Sequence, residues 1–275
     1  MDCQLIGTAL IMLRVSSFIL ALLISTAVTA KPITAKSFLV TDNKGTVILE
    51  KNADRTQSIA SITKLMTAIV VLNAHQDLSE ELRLDFKNAT TYHTHLPRTL
   101  KTLSRGELLQ LAIVKSDNFA AYTLCENYPG GVDRCVAEMN HQALEFGMYS
   151  THFTDPTGLD QGNQSNARDL VKLVLVASRH EEITEASGKP LVSIWVKKQW
   201  WDFWNTNSLV RRDSDRVIVS KTGYINESGG CVVMLLDTDL GQRVIVLLGS
   251  KNTRTRIPEL EQISVTVTGK DLELN

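Results

Sequence analysis

Ser61 and Lys64 stand three residues apart in Ser61-Ile62-Thr63-Lys64; Ser116-Asp117-Asn118 follows, and Lys221-Thr222-Gly223 comes last. Each is weak alone, because a short pattern arises by chance in a chain of 275 residues. Together and in this order they match a known signature of serine acyl transfer. Ser61 is the candidate nucleophile and Lys64 its base. Ser116 is a candidate relay for a proton between Lys64 and a leaving amine. Asn118 suits a substrate backbone amide and the Lys64 ammonium, and Lys221 and Thr222 suit a terminal carboxylate. Gly223 is expected to clear space for close approach of a substrate backbone. The amide of Tyr224 is expected to join that of Ser61 as an oxyanion hole. A lysine base must be partly neutral at working pH, so Lys64 is expected to be desolvated, with Lys221 as a cationic neighbour that lowers its pKa further.

These residues need elements to hold them. Leu65, Ile69 and Leu72 recur at helical spacing and predict a helix over 58–75 with Ser58 as its N-cap. On it, Ser61 and Lys64 share a face. Ser104 and Glu107 form a predicted capping box for a helix over 104–115, so Ser116-Asp117-Asn118 falls at a helix-to-helix junction. Further helices are expected over 117–127, 132–147 and 166–179, with a loop at Asp155-Pro156-Thr157-Gly158. Ser37–Val40 and Gly45–Leu49 read as a hairpin, and Val217–Tyr224, Cys231–Leu236 and Arg243–Leu248 as three later strands. Arg254–Ile263 reads as a closing helix. Early and late strands must share one antiparallel sheet, flanked by helices, with a helical subdomain at about 75–180 inserted between them; the class is α+β.

Residues 1–30 read as a secretory signal. Phe18–Ile24 is its apolar core, Val28-Thr29-Ala30 the cleavage site, and Met12-Leu13-Arg14 a better basic start than Met1-Asp2-Cys3. An uncleaved anchor is the alternative. Residues 31–275 are then a single domain in an exported, oxidising compartment. Of the three cysteines beyond the leader, Cys125 and Cys135 flank a turn and could pair, and Cys231 reads as a buried thiol. The formal net charge of −1 and the lack of charge runs argue against nucleic acid. His93 and His95 lack a third ligand, no nucleotide loop is present, and no metal or cofactor is expected. Trp200, Trp201, Phe203 and Trp204 form a dense aromatic cluster; core or hinge packing is favoured over a ligand groove.

With these motifs, the stretches Ala60–Ala68, Arg105–Leu109, Asn127–Gly131, Asp155–Leu159, Ala167–Leu170 and Ser220–Glu227 resemble the low-molecular-mass penicillin-binding proteins of the D-alanyl-D-alanine peptidase family. The resemblance covers most of the chain beyond the leader. It implies a β-lactamase/transpeptidase-like fold, action on peptidoglycan peptide side chains in the periplasm, and covalent inhibition by β-lactams such as penicillin. Tyr224-Ile225-Asn226 and the short C-terminus are similar to the D,D-endopeptidase branch, which cuts the D-Ala to meso-diaminopimelate cross-link. Carboxypeptidase relatives tend to carry His after Lys-Thr-Gly, a second β-rich domain and an amphipathic C-terminal helix; Thr266–Asn275 does not read as such an anchor, and peripheral membrane association stays open. A D-alanyl-D-alanine carboxypeptidase is the alternative. A serine β-lactamase would need a deacylating base, yet the loop over 155–166 offers Asp155 and Asp160 but no Glu. A non-catalytic peptidoglycan-binding module is the remaining reading.

Overall fold

Alternation of side chains along two late strands builds the centre of the molecule. In the computed structural model, which describes residues 32–87, 91–212 and 215–268, Val232, Met234 and Leu236 enter one apolar cluster while Cys231, Val233 and Leu235 enter another. Ile245 and Leu247 alternate with Val244, Val246 and Leu248 in the same way. A sheet buried on both faces is the result of that period of two.

The elements run β1 (Ser37–Asp42), β2 (Val47–Lys51), β3 (Gln57–Ser58), α1 (Thr63–Asn73), β4 (Glu81–Arg83), β5 (Thr102–Ser104), α2 (Arg105–Gln110), α3 (Asn118–Glu126), α4 (Gly131–Glu145), β6 (Gln164–Ser165), α5 (Ala167–Ala177), α6 (Glu181–Gly188), β7 (Leu191–Val196), β8 (Gln199–Trp204), α7 (Ser208–Arg212), β9 (Val217–Ile225), β10 (Gly229–Leu236), β11 (Arg243–Ser250) and α8 (Arg256–Thr268). The main sheet has the order β2-β1-β11-β10-β9, antiparallel throughout. The early hairpin therefore does join the late strands, with β9, the bearer of Lys221-Thr222-Gly223, at one edge. One apolar layer, with Leu209, Ile257, Leu260 and Ile263, covers one face; α1, α2, α3 and α5 contribute to the larger layer on the other.

Helix α1 is apolar nearly all round, with Thr63 through Val71 buried, as expected of a helix enclosed by others. It is the rigid post on which the nucleophile turn stands. The capping box at Ser104 is present: the Glu107 amide donates to Ser104 Oγ at 3.2 Å, and the Ser104 amide to Glu107 Oε2 at 2.8 Å. Cys125 and Cys135 form a disulfide between α3 and α4, and Cys231 is a buried thiol. The leader lies outside the described residues. Among the described residues no helix is long and apolar enough to cross a membrane.

The aromatic cluster departs from expectation. Phe203 enters the core, but Trp200, Trp201 and Trp204 are 65%, 36% and 53% exposed. They sit on a two-stranded hairpin, β7–β8, which has only one face to pack. Helix α6 leads directly into this hairpin.

Candidate active site

The nucleophile turn is not a helix start capped by Ser58. Gln57 and Ser58 pair with Ser165 and Gln164 as a short strand, and the Ile59 amide donates to Asn163 O at 3.1 Å. Ala60 then adopts φ +47°, a left-handed conformation costly for a residue with a Cβ, and Ala60–Ile62 form a 3-10 turn into α1. Ser61 lies in that turn, partly exposed. Two glycines clamp it. A Cβ on Gly158, whose φ is +81°, would stand 2.0 Å from Ala60 O. One on Gly223 would stand 2.9 Å from Ile59 O and from Ser61 N. The backbone that Gly223 admits is therefore the protein's own, and β9 crosses directly against the Ser61 amide.

Lys64 is fully buried. Its Nζ donates to Thr157 O at 2.6 Å, Asn118 Oδ1 at 2.7 Å and Ser61 Oγ at 3.0 Å. An ammonium has three protons for these three acceptors. A neutral amine keeps two, for Thr157 O and Asn118 Oδ1, and turns its lone pair to the Ser61 hydroxyl. Burial lowers the Lys64 pKa from 10.5 to about 7, against the opposing pull of Asp155 and Asp117. The expected help from Lys221 is not what depresses Lys64. Instead, burial first, then Lys64 and Arg256, push Lys221 well below its ordinary value.

Lys221 is also buried, and its Nζ donates to Ser116 Oγ at 2.7 Å and to Thr222 O at 3.0 Å. Ser116 reaches it because a π-helical turn over Leu111–Lys115 ends α2, and Ser116 itself takes φ +59°. Asp117 caps α3, accepting from Ala120 N at 2.9 Å and from Thr94 Oγ1 at 2.7 Å. Its carboxyl, raised by burial and held down by those bonds, anchors the motif. The Thr222 hydroxyl donates to Thr206 Oγ1 at 2.7 Å. Tyr224 is partly exposed, and its hydroxyl donates to Asn226 Oδ1 at 3.3 Å. Hydrogen bonds thus join Ser61, Lys64 and Asn118 in one group and Lys221 with Ser116 in another, so that Ser116 meets Lys221 and not Lys64; Gly223 packs against the Ser61 turn, while the side chains of Thr222 and Tyr224 bond Thr206 and Asn226.

Several participants escaped sequence reasoning. Thr157 contributes only a carbonyl, which no side-chain motif marks. Its loop is set by Asp155, whose Oδ1 accepts from Thr157 Oγ1 at 2.6 Å and Gly158 N at 2.8 Å, and whose Oδ2 accepts from Asn163 Nδ2 at 2.9 Å. Arg256, at the start of α8, donates to Gly223 O at 2.8 Å from a buried position. The turn signal at 155–158 marked a loop but not its role; Thr206 and Arg256 carried no signal.

Comparison with known proteins agrees with this geometry. Residues 24–252 match the D-alanyl-D-alanine carboxypeptidase family, peptidase S11. Over 239 residues the chain is 35% identical to a D-alanyl-D-alanine endopeptidase of Pseudomonas aeruginosa, covering 81% of this chain and 77% of that protein. The fold matches the Streptomyces K15 DD-transpeptidase with a TM-score of 0.79 at 24% identity, over 88% of this chain and 100% of the other. It matches the cefotaxime-bound penicillin-binding protein D2 of Listeria monocytogenes with a TM-score of 0.75 at 27% identity, over 87% and 98%. The α+β, transpeptidase-like class is thereby established.

Proposed function

The chain belongs to the D-alanyl-D-alanine carboxypeptidase family, peptidase S11, and from that premise we propose how it acts as a serine D,D-peptidase on peptidoglycan, with the D-Ala to meso-diaminopimelate cross-link as its main target. The observation that carries the reading is the buried Lys64 amine, held by Thr157 O and Asn118 Oδ1 with Ser61 Oγ as its third neighbour.

Neutral Lys64 takes the Ser61 proton as Oγ attacks the D-alanyl carbonyl. The tetrahedral oxyanion is received by the amides of Ser61 and Tyr224, and Arg256 holds the intervening strand through Gly223 O. The Lys64 ammonium that results keeps all three acceptors. Ser116, held by its bond from Lys221, gives its hydroxyl proton to the leaving amine as the bond to that amine breaks, and is reprotonated by the Lys64 ammonium, which returns to the neutral amine. Water then attacks the D-alanyl ester, its proton passing to neutral Lys64, which returns it to Ser61 Oγ as the ester C–O bond breaks. Asn118 orients the substrate backbone, and Lys221 with Thr222 binds the substrate's carboxylate, whose negative charge favours the ammonium form of Lys221. A β-lactam meets the same Ser61 and stays there as a covalent ester.

Likeness to the endopeptidase of P. aeruginosa and Tyr224-Ile225-Asn226 after Lys-Thr-Gly support cleavage of cross-links. The family's own description favours a second reading, release of terminal D-alanine. The apolar leader over 1–30 supports export to the periplasm. Incubation of the purified protein with cross-linked muropeptide dimers, read by mass spectrometry, separates the readings. Dimers become monomers if the cross-link is the target; loss of terminal D-alanine alone makes the protein a carboxypeptidase.

A further inference from the structure

The hairpin β7–β8 puts its tryptophans where the core does not need them. Its register pairs Leu191 with Trp204, Ser193 with Asp202 and Trp195 with Trp200. Side chains alternate across a strand, so these pairs share one face, while Val192, Ile194, Val196 and Phe203 face the core. Trp195, Trp200 and Trp204 are 53%, 65% and 53% exposed. The rings of Trp195 and Trp200 lie 5.0 Å apart, tilted by 60°. Between them and Trp204, Ser193 Oγ donates to Asp202 Oδ1 at 2.6 Å. The outer face is thus a strip, aromatic at both ends and polar in the middle. Trp200 and Trp204 are separated by about 13 Å along the strand, comparable with a disaccharide.

The strip is continuous with the cleft. Trp204 is followed by Asn205 and Thr206, and Thr206 binds the Thr222 hydroxyl at 2.7 Å and donates its amide to Val114 O at 3.0 Å. Buried Asn205 donates to Lys189 O at 3.0 Å, and buried Asn207 to Ser220 Oγ at 2.9 Å, so the hairpin base is tied to the strand bearing Lys221. The tip is Lys197-Lys198, both at positive φ in a two-residue turn that ordinarily selects Asn or Gly. Two cations are kept there despite that backbone cost.

We propose that the outer face of β7–β8 binds the glycan strand of peptidoglycan, next to the peptide that enters the cleft; this rests on the D,D-peptidase reading above. Indole faces stack on the apolar C–H faces of amino sugars. Ser193 and Asp202 meet hydroxyl and N-acetyl donors, and Lys197 and Lys198 meet the carboxylates of stem peptides. A lipid surface fits less well, because the Asp202 carboxylate lies in the middle of the strip and a charge there resists insertion.

The test uses the full exported protein with Trp195, Trp200 and Trp204 changed together to Ala, and a second variant with all three changed to Tyr. Binding to isolated sacculi is measured by co-sedimentation in a Ser61→Ala background, with peptide-free glycan strands as competitor; penicillin acylation is measured with Ser61 intact. The Ala variant should bind sacculi about tenfold or more weakly, the Tyr variant should recover binding, glycan strands should compete with the parent protein, and acylation should stay at the parent rate. Unchanged binding, or failure of glycan strands to compete, overturns the proposal, as does loss of binding to phosphatidylglycerol vesicles in place of sacculi. Failure of the peptidase reading looks different: the parent protein would then neither react with penicillin nor cleave muropeptides. If the Ala variant is not acylated, Trp200→Ala alone, at the most exposed ring, replaces it with the same expected loss in direction.

Discussion

The cleft and the β7–β8 hairpin invert the usual rule of burial in opposite directions. The cleft buries Lys64, Lys221 and Arg256, whereas the hairpin exposes Trp195, Trp200 and Trp204. Charged side chains are rarely buried without partners, and large apolar groups seldom cluster in solvent without a reason. In the cleft the inversion is offset by hydrogen bonds to Thr157 O, Asn118, Ser116 and Gly223 O. Desolvation brings Lys64 near neutrality as part of the chemistry. In the hairpin nothing within the described residues covers the rings, and the proposed compensation comes from the substrate. One region is tuned by what surrounds it, the other by what it awaits.

That contrast can be broken by substitution. The largest effect is expected at Ser61→Ala, which removes the attacking oxygen: acylation by penicillin and muropeptide cleavage should both fall by at least about 10⁴-fold, seen as loss of the covalent adduct by mass spectrometry. Lys64→Met should cut acylation by about 10³-fold while leaving the melting temperature equal or higher, because a buried cation is exchanged for apolar volume. A fall in melting temperature there would mean that the buried lysine stabilises the fold, contrary to the comparison. Gly158→Ala should cost about 2–4 kcal/mol in denaturant unfolding, since its Cβ would meet Ala60 O at 2.0 Å and its φ is positive. Smallest is Trp200→Ala, which should alter stability by no more than about 0.5 kcal/mol, as an exposed ring away from the core.

The parts of this site that were readable are those whose chemistry resides in side-chain type. Ser61, Lys64, Ser116, Asn118 and Lys221 are named by their motifs, and the late strands by apolar runs over 231–236 and 244–248. What was misread depends on backbone geometry or on distance in the chain. Ser58 looks like an N-cap, yet Ala60 at φ +47° breaks the helix before it begins. The acceptor at Thr157 is a carbonyl, invisible to composition. Arg256 reaches Gly223 across 33 positions, and only the packing of α8 beside β10 brings it there. Core or hinge packing was favoured for the tryptophans because hydropathy alone does not reveal that a hairpin has a single packed face.

The central claim is that buried Lys64 is the base for Ser61. It is tested most directly by the rate constant for acylation by penicillin from pH 5 to 9, measured by intact-protein mass spectrometry. A lysine whose pKa is lowered to about 7 is protonated and idle below that pH and neutral above it. The rate should therefore rise about tenfold per pH unit at the acid end and level off above about 7, and Lys64→Met should erase that rise. A profile flat across this range in the parent protein, or the same rise surviving in Lys64→Met, would contradict the account.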